Sequence, residues 1–463
     1  MIYKDKTVDN LQICYIGGGS RGWAWSFFKD LALEGAMSGA IRLYDIDTPA
    51  AEQNRIIGEK IMAHPDAKSN WTFSVAQTLP EALTGADIIV ISILPGTFEE
   101  MRSDVHAAEK YGIYQTVGDT VGLGGFVRAM RTLPIYVTFA EAIRDYAPNA
   151  WVINYTNPMT LCVRTLYEVF PQIRAFGCCH EVFGTQNLLC SMLEQEHGIS
   201  GVQREQLRTT VMGINHFTWL SEASYDGLDL FPLYADFAEK YHDVGYGDGK
   251  GLDWANDPHR CAHRVKFDLF RRFGLIAAAG DRHLAEFVPR WYLRNPETAH
   301  SWGFALTTVD WRLQKQQRRI DQGIALASGA EEVVLEHSGE EGTRLIKALL
   351  GLEDIVSNVN LPNRGQIPNL PIGTVVETNA LFSKNRVEPI CAGPIPSDVH
   401  AIIAQHVFDQ ENTLRAALDC DRKLAYTTFM NDPQFTGTPA EGKELLDTML
   451  ENTRAYLPSK WFD

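Results

Sequence analysis

A glycine-rich turn between a strand pattern and a helix pattern constrains the fold of this 463-residue chain more than any other feature. The apolar run 11–16 is followed by Gly17, Gly18, Gly19, Ser20, Arg21 and Gly22, and a helical pattern begins at Trp23. This G-x-G-x-x-G spacing lets the backbone approach a pyrophosphate, and the N-terminus of the following helix supplies N–H groups. The sequence therefore predicts a Rossmann-like dinucleotide site; a tight turn without a ligand is the alternative.

An acidic residue, Asp45, ends the next strand pattern. A carboxylate at this position can accept hydrogen bonds from a ribose diol, and it repels a 2′-phosphate. The sequence thus predicts that the cofactor is NAD rather than NADP.

Strand and helix patterns alternate through the first two hundred residues, which favours a doubly wound parallel sheet. One of these helices is expected to begin with Thr48 as its N-cap and Pro49 at its first position. Beyond about residue 205 the strands look longer and more antiparallel, and long helices follow. We therefore predict an α/β fold with a Rossmann-like domain over 1–205 and a mixed α+β domain over 206–463. The Asn-, Pro- and Gly-rich segment 358–381 is expected to be an extended, wrapping segment.

The net charge of −16 argues against a nucleic-acid or anionic-membrane partner, because both need clustered lysine and arginine. No stretch of about 18 apolar residues is present, and the first residues do not resemble a signal peptide. The eight cysteines are scattered through apolar runs, which is typical of reduced thiols. We expect a cytoplasmic protein that acts on a small molecule.

Polar residues gather at the ends of several predicted strands, where α/β enzymes keep their chemistry. These residues are Asp119, Thr120, Arg128 and Arg131; Asn154 and Asn157; Cys178, Cys179, His180 and Glu181; and Asn215 and His216. Cys179 and His216 could together bind a divalent metal such as zinc or manganese. The alternative is that Cys179 is a small buried apolar residue and His216 a hydrogen-bonded core histidine. Cys178 is expected to face the opposite side of its strand.

A further cluster, "GDRHLAEF" at 280–287, opens a predicted helix with Asp281, Arg282, His283 and Glu286. Asp281 is expected either to cap this helix or to act as a carboxylate base beside an arginine. The residues alone favour the capping role.

Six segments taken together resemble glycoside hydrolase family 4 in order and spacing: "IGGGSRG", "GDTVGLGG", "INYTNPM", "CHEV", "GINHF" and "NLPNRGQIPNLPIGTVVE". The resemblance covers nearly the whole chain, and it implies an NAD-dependent glycosidase that usually requires Mn²⁺. It implies that Cys179 and His216 are metal ligands, that His180 is the general acid, and that Asp281 is the base. It also implies that Asn157 and Asp119 contact the substrate.

The "CHEV" sequence resembles the α-galacturonidase subgroup of this family. The implied substrate is therefore an α-galacturonide or oligogalacturonide, with α-glucosides or α-galactosides as alternatives. A uronate needs local cations, and we expect them from Arg128, Arg131 or Arg282; the alternative is that these arginines only pair with neighbouring carboxylates.

The chemistry implied by the family is transient oxidation at carbon 3 of the sugar, elimination, addition of water and re-reduction. The rival functions are an NAD-dependent hydroxy-acid dehydrogenase and a non-catalytic NAD-binding protein. The long C-terminal helices, together with the family resemblance, suggest a homodimer or homotetramer.

Overall fold

The computed structural model describes residues 1–247, 253–255 and 257–463. Strands and helices alternate through its first half, as the sequence predicts. Their bounds are β1 Ile2–Lys4, β2 Thr7–Ile16, α1 Trp23–Leu33, β3 Met37–Tyr44, α2 Thr48–Met62, β4 Trp71–Val75, α3 Leu79–Leu83, β5 Ile88–Ile91, α4 Phe98–His106, α5 Gly122–Tyr146, β6 Trp151–Asn154, α6 Met159–Val169, β7 Arg174–Gly177 and α7 Glu181–His197.

The second half is richer in helix and has shorter or antiparallel strands. Its elements are β8 Arg208–Ile214, β9 Phe217–Tyr225, β10 Leu228–Asp229, α8 Phe231–Tyr241, α9 Arg264–Phe273, β11 Ile276–Ala277, α10 Asp281–Leu284, α11 Pro296–Ser301, α12 Val309–Ser328, α13 Gly342–Leu349, β12 Ile355–Pro362, β13 Val375–Ser383, β14 Arg386–Pro389, α14 Ser397–Asp419, α15 Arg422–Asn431 and α16 Pro439–Asn452. Within the described ranges, none of these helices has the length and apolar character needed to cross a membrane.

The main sheet has the order β14-β13-β12-β7-β6-β5-β2-β3-β4, and β1 pairs with β2. The six strands from β7 to β4 are parallel. Every residue of β5 is buried, because helices cover both faces of a doubly wound sheet. The predicted α/β fold is confirmed.

The strands β12, β13 and β14 extend this sheet with antiparallel pairs. β12 lies beside β7 through the pair Asn360 and Gly177, and it forms a long hairpin with β13. The segment 358–381, predicted to be an extended, wrapping segment, has half of its residues in two strands of the main sheet and the other half in the loop between them. The sequence predicted a domain boundary near residue 205. Three strands that follow this boundary, β12, β13 and β14, belong to the main sheet together with the strands of the first half.

A smaller sheet contains β8, β9, β10 and β11, all paired antiparallel. The tight connection between β8 and β9 holds Asn215 and His216. Asn215 donates a hydrogen bond to Glu377 of β13, which ties this connection to the main sheet. The smaller sheet thus carries one side of the site described next.

Candidate active site

The glycine turn follows β2 and leads directly into α1. Gly17 has a positive φ of 93°, and a side chain there would collide with the carbonyl group of Ser92. A side chain on Gly18 would press against Leu43 of β3. Helix α1 has no side-chain cap at Gly22, so its first amides are available to an anionic group.

Two side chains from the next strand and helix hold this turn in place. Asp45 accepts hydrogen bonds from the amides of Gly19, at 2.8 Å, and Asp47, at 2.9 Å. Asn54 of α2 donates to the carbonyls of Gly18, at 2.7 Å, and Ser20, at 3.0 Å. The role of Asn54 was not predicted, because a single asparagine inside a helix pattern does not indicate which backbone groups it will bind.

Helix α2 begins differently from the prediction. Its N-cap is Asp47, whose carboxylate accepts a hydrogen bond from the amide of Ala50 at 3.1 Å. Thr48 is the first helical residue, so its predicted role as N-cap is wrong. Asp47 also lies 3.3 Å from the guanidinium of Arg21, which ties α2 to the glycine turn.

Asp119, His216 and His283 form a cluster in which three possible metal-ligand atoms all lie within 4.8 Å of one another. The hydroxyl of Thr120 bridges two of them, 2.8 Å from Asp119 Oδ1 and 3.0 Å from His216 Nδ1. The rings of His216 and His283 stack with their centroids 4.2 Å apart. His283 was predicted to lie near the site but not to be a ligand, because Asp119 and His216 lie far from it in the sequence.

The charges around this cluster favour an ionised Asp119 beside a neutral His216. Burial alone would raise the pKa of Asp119, but the positive charge of Arg128 and smaller contributions from other cations lower it. Burial, together with repulsion from His283, lowers the pKa of His216 to about 3. A carboxylate and a neutral imidazole are both competent metal ligands at neutral pH.

Cys179 was predicted to bind a metal together with His216, but its side chain packs among apolar residues. Its neighbours are the apolar side chains of Met159, Val163 and Val375. Burial, and then the charges of Glu377 and Glu181, raise the pKa of its thiol well above the usual value. Among the described residues, Cys179 belongs to neither cluster of three close ligand atoms. Its role as a ligand stays a prediction.

The neighbouring cysteine, Cys178, packs into the large core on one face of the main sheet. Its thiol is near Tyr155 and is buried. The two cysteines therefore face different surroundings, as predicted from the alternation of side chains along a strand.

His180 follows Cys179 and is the N-cap of α7. Its Nδ1 lies 3.1 Å from Oε1 of Glu340, and its side chain is 49% exposed. Partial burial alone would lower the pKa of His180, but the hydrogen bond and charge of Glu340 outweigh it and raise the pKa to about 9. The ring of Trp23, the first residue of α1, lies 5.9 Å from the ring of His180. His180 is thus a protonated group beside the glycine turn.

Glu181 is held inside the site rather than exposed to solvent. It accepts a hydrogen bond from the amide of Gly280 at 2.7 Å, and its other oxygen lies 3.4 Å from Nε2 of His283. Burial would raise its pKa, but His283, Arg282 and His180 lower it well below the usual value. Glu181 therefore links α7 to the turn before α10.

Asp281 does not cap its own helix, contrary to the simpler of the two predictions. Its carboxylate accepts hydrogen bonds from the amides of Val265, at 3.1 Å, and Lys266, at 3.2 Å, in the first turn of α9. The side chain is fully buried, and burial raises its pKa. It forms a second cluster with Cys261 and His263, separate from the cluster of Asp119. Its role as a base stays a prediction.

The predicted arginines differ in what they already bind. Both ends of the Arg131 guanidinium pair with Asp104, and both residues are fully buried, so Arg131 is not available to a substrate. Arg128 donates from Nε to the carbonyl of Asn157 at 3.1 Å, while its Nη1 is buried without a hydrogen-bond partner. Arg282 is half-buried and makes a long contact of 3.4 Å with Thr307.

Several buried polar atoms of the site have no hydrogen-bond partner within the described residues. They are Nη1 of Arg128, Oδ1 of Asn157, Nδ1 of His283 and Oδ1 of Asn215. Buried polar groups in native proteins almost always have partners. Their convergence here indicates a site built for a polar ligand or a metal ion.

The fold and this site define a Rossmann-like α/β enzyme with a polar active site at the carboxyl edge of its parallel sheet. The chain belongs to glycoside hydrolase family 4: the family 4 glycosyl hydrolase model matches residues 12–195, and the model of the family's C-terminal domain matches residues 211–435. The resemblance drawn from the sequence motifs is confirmed, and the protein is a glycosidase.

The comparisons also give individual relatives. An α-galacturonidase of Thermoanaerobacterium saccharolyticum is 55% identical over 99% of this chain and 98% of its own. A crystal structure of a Bacillus subtilis protein described as a glucosidase is 47% identical and superposes with a TM-score of 0.92, covering 96% of this chain and 100% of that one. A 6-phospho-α-glucosidase from gut microorganisms, in complex with NAD and Mn²⁺, shares the fold at 19% identity and a TM-score of 0.79, covering 97% and 99%.

Proposed function

We propose that this protein is an α-galacturonidase that uses NAD and Mn²⁺. The observation that carries the proposal is the approach of Trp23, at the start of α1, to His180, at the start of α7. This contact joins the start of α1, after the glycine turn, to a protonated histidine. Glu181, the next residue, lies 3.4 Å from His283 of the Asp119 cluster, so the three features are neighbours. An oxidation and a proton transfer on the same sugar need this proximity.

The glycine turn fits a dinucleotide, because its backbone is bare of side chains and α1 has no side-chain cap. Gly17, Gly18, Gly19, Ser20, Arg21 and Gly22 would bind the pyrophosphate, and Asp45 would face the ribose. When bound there, NAD would supply a reversible hydride acceptor for carbon 3 of the sugar.

The cluster of Asp119, His216 and His283 fits a divalent ion, because its donors are oxygen and nitrogen and Nδ1 of His283 is buried without a partner. We propose His216 as a ligand, with Cys179 as the second predicted ligand and Asp119 and His283 beside them. A divalent ion held by these residues would supply Lewis-acid polarisation of the sugar oxygens, which would make the neighbouring C–H group more acidic.

The protein's own groups move the protons. His180, with a pKa of about 9, is protonated at neutral pH and donates its proton to the oxygen of the departing aglycone. Asp281 is the proposed base at carbon 2, and its raised pKa suits that task. Each oxygen of Asp281 accepts a hydrogen bond from an amide of α9, so only the remaining lone pairs of the carboxylate can take a proton.

The preference for a uronate rests on two cations and on the relatives. Arg128 has a buried, unpartnered Nη1 beside Asp119, and Arg282 is only weakly engaged. Arg128 could donate to a carboxylate from its free Nη1, and Arg282 could bind one in two-point fashion. The high identity to an α-galacturonidase over nearly the whole chain supports the same sugar.

The test compares nitrophenyl α-galacturonide with the corresponding α-galactoside and α-glucoside, each with added NAD and Mn²⁺. We expect kcat/KM to favour the galacturonide by at least about tenfold, from the energy of one charge-assisted pair. A better neutral substrate would instead favour an α-galactosidase or α-glucosidase, and net formation of NADH would favour a hydroxy-acid dehydrogenase.

Two further predictions accompany this function. The eight free cysteines are compatible with the predicted cytoplasmic location, where a thiolate ligand stays reduced. The predicted homodimer or homotetramer is testable by light scattering at micromolar concentration, where a monomer would contradict it.

A further inference from the structure

One face of α12 carries a row of cations that the proposed function has not used. Arg312, Lys315 and Arg319 are three and four residues apart, so they lie along one side of the helix. At the N-terminal end of the row, Arg312 donates to the carbonyl of Val117, two residues before Asp119, at 2.6 Å. At the C-terminal end of the row, Arg319 lies beside Gly22 of the glycine turn: a Cβ atom added to Gly22 would be 3.5 Å from Nε of Arg319. The row therefore runs from the sugar site to the glycine turn.

A cavity of about 450 Å³ lies against this row. Its walls include Trp311, Lys315, Arg318, Arg319, His259 and Asp257. Nζ of Lys315 lies 2.9 Å from Nε2 of His259 and 5.0 Å from the centre of the Trp311 ring. The cavity thus combines an aromatic surface with several hydrogen-bond donors.

The positive charges of this cavity are not balanced by the protein. Within the described residues, no carboxylate pairs with Lys315, Arg318 or Arg319 at ion-pair distance, and Asp257 is the acidic residue in the wall. Burial, and then repulsion from Arg319 and Arg282, lower the pKa of Lys315. Unpaired cations held together in a protein of net charge −16 indicate a site for an anionic ligand.

Two anions could bind in this cavity: the pyrophosphate of a dinucleotide or the carboxylate of a sugar. Arg319 faces the first turn of α1, where the pyrophosphate of a dinucleotide would lie, so its charge belongs to the cofactor side. Lys315 lies close enough to Arg282, one of the predicted substrate-binding arginines, for their charges to repel each other. Trp311 lies about one helical turn before Lys315. An aromatic side chain beside a cation suits a sugar ring that bears a carboxylate, because the ring packs on the aromatic face while the cation binds the anion.

We propose that this cavity binds the carboxylate of a second uronate unit, the part of the substrate that leaves when the glycosidic bond is cleaved. The inference rests on the proposed function and assigns the second unit of an oligogalacturonide to this cavity. Lys315 and Arg318 would be its carboxylate-binding residues and Trp311 its ring-binding surface.

The test compares two substrates that share the sugar at the cleaved bond. Digalacturonate carries a second carboxylate, and nitrophenyl α-galacturonide does not. In the double variant Lys315→Gln, Arg318→Gln we expect the KM for digalacturonate to rise about tenfold with kcat little changed. Both constants for the nitrophenyl substrate should stay at the wild-type values. Raising salt from about 0.05 M to about 0.5 M should weaken the wild-type preference for digalacturonate, because it screens exposed charges.

Two controls separate charge at this cavity from other effects. Lys384→Gln, in the hairpin between β13 and β14, removes the same charge elsewhere and should leave both substrates unchanged. Lys315→Arg keeps the charge and should retain most of the affinity for digalacturonate.

The outcomes also separate this inference from the proposed function. Normal hydrolysis of nitrophenyl α-galacturonide by the wild type, with equal effects of the double variant on both substrates, would overturn the inference and leave the function intact. A weaker affinity for NAD in the double variant, measured by calorimetry, would assign the cavity to the cofactor and also overturn the inference. If the wild type hydrolyses neither uronide, the proposed function fails and the inference fails with it.

Discussion

Nδ1 of His180 lies 3.1 Å from Oε1 of Glu340, although the two residues are far apart in the sequence. Glu340 precedes α13 and also lies near Tyr155 and Cys178, so the core of the main sheet fixes its position. This carboxylate keeps the exposed histidine protonated well above the usual pH range. If His180 is the general acid proposed above, its acid strength therefore depends on Glu340.

Replacing Glu340 by glutamine should weaken the protonation of His180. The wild-type pKa is about 9, and loss of the negative charge leaves burial to lower it. The general acid must be protonated, so the basic limb of the kcat profile should move to lower pH by at least about one unit. A profile of kcat against pH measures this, with His180→Asn as a control that should lose the limb. An unmoved limb in Glu340→Gln would assign the limb to another group.

Serine substitutions of the two adjacent cysteines form a matched pair. Cys179→Ser should weaken Mn²⁺ binding by about 10- to 100-fold, as expected for loss of a ligand or its support. Cys178→Ser should leave Mn²⁺ binding unchanged, because Cys178 packs in the core of the main sheet. Calorimetric titration with Mn²⁺ measures both affinities. Wild-type affinity in Cys179→Ser would leave Asp119, His216 and His283 as the ligand set.

Asp45→Ala should narrow the preference for NAD over NADP. The carboxylate repels a 2′-phosphate in the wild type, and its removal also frees the amides of Gly19 and Asp47. Calorimetry gives the ratio of the two dissociation constants. Asp47→Ala is the control: it removes the N-cap of α2 and should cost about 1 kcal/mol of stability without changing the ratio. Equal binding of NAD and NADP by the wild type would mean that Asp45 does not face the ribose.

Asp281→Asn separates the structural role of this residue from its proposed role as a base. The wild-type carboxylate accepts from two amides of α9, and an amide side chain replaces one acceptor with a donor, so we expect a lower Tm. If Asp281 is also the base, product formed in D₂O should lose the deuterium that the wild type incorporates at carbon 2. Nuclear magnetic resonance of the product decides it. Wild-type incorporation together with a lower Tm would restrict Asp281 to the structural role.

Asp432 should make the protein less stable as the pH rises toward neutrality. Burial, and to a smaller extent the charge of Asp409, raise its pKa from 3.8 to about 7. Because the folded state binds the proton more tightly than the unfolded chain, this stabilisation is complete below about pH 4 and is lost progressively up to about pH 7. Asp432→Asn should therefore have a Tm that depends less on pH over this interval. Calorimetric melting at several pH values measures it, and an unchanged slope would contradict it.

The parts of the site that were predictable come from short segments with a local pattern. The glycine turn, the strand ends and the adjacent cysteines each occupy a few consecutive residues, so spacing and alternation identify them. Glu340, Arg312 and Asn54 were not predicted, because each meets its partner only after the chain has folded. The capping role predicted for Asp281 failed for the same reason: its partners are the amides of α9, which lies earlier in the sequence.

The hairpin of β12 and β13 has a consequence for how the protein is made. During synthesis, β7 emerges long before β12, and until β12 arrives it is an unpaired edge of the parallel sheet. Such an edge is a template for pairing with other chains. A nascent chain arrested before residue 355 should therefore depend on chaperones and aggregate without them, whereas release of the complete chain removes this edge.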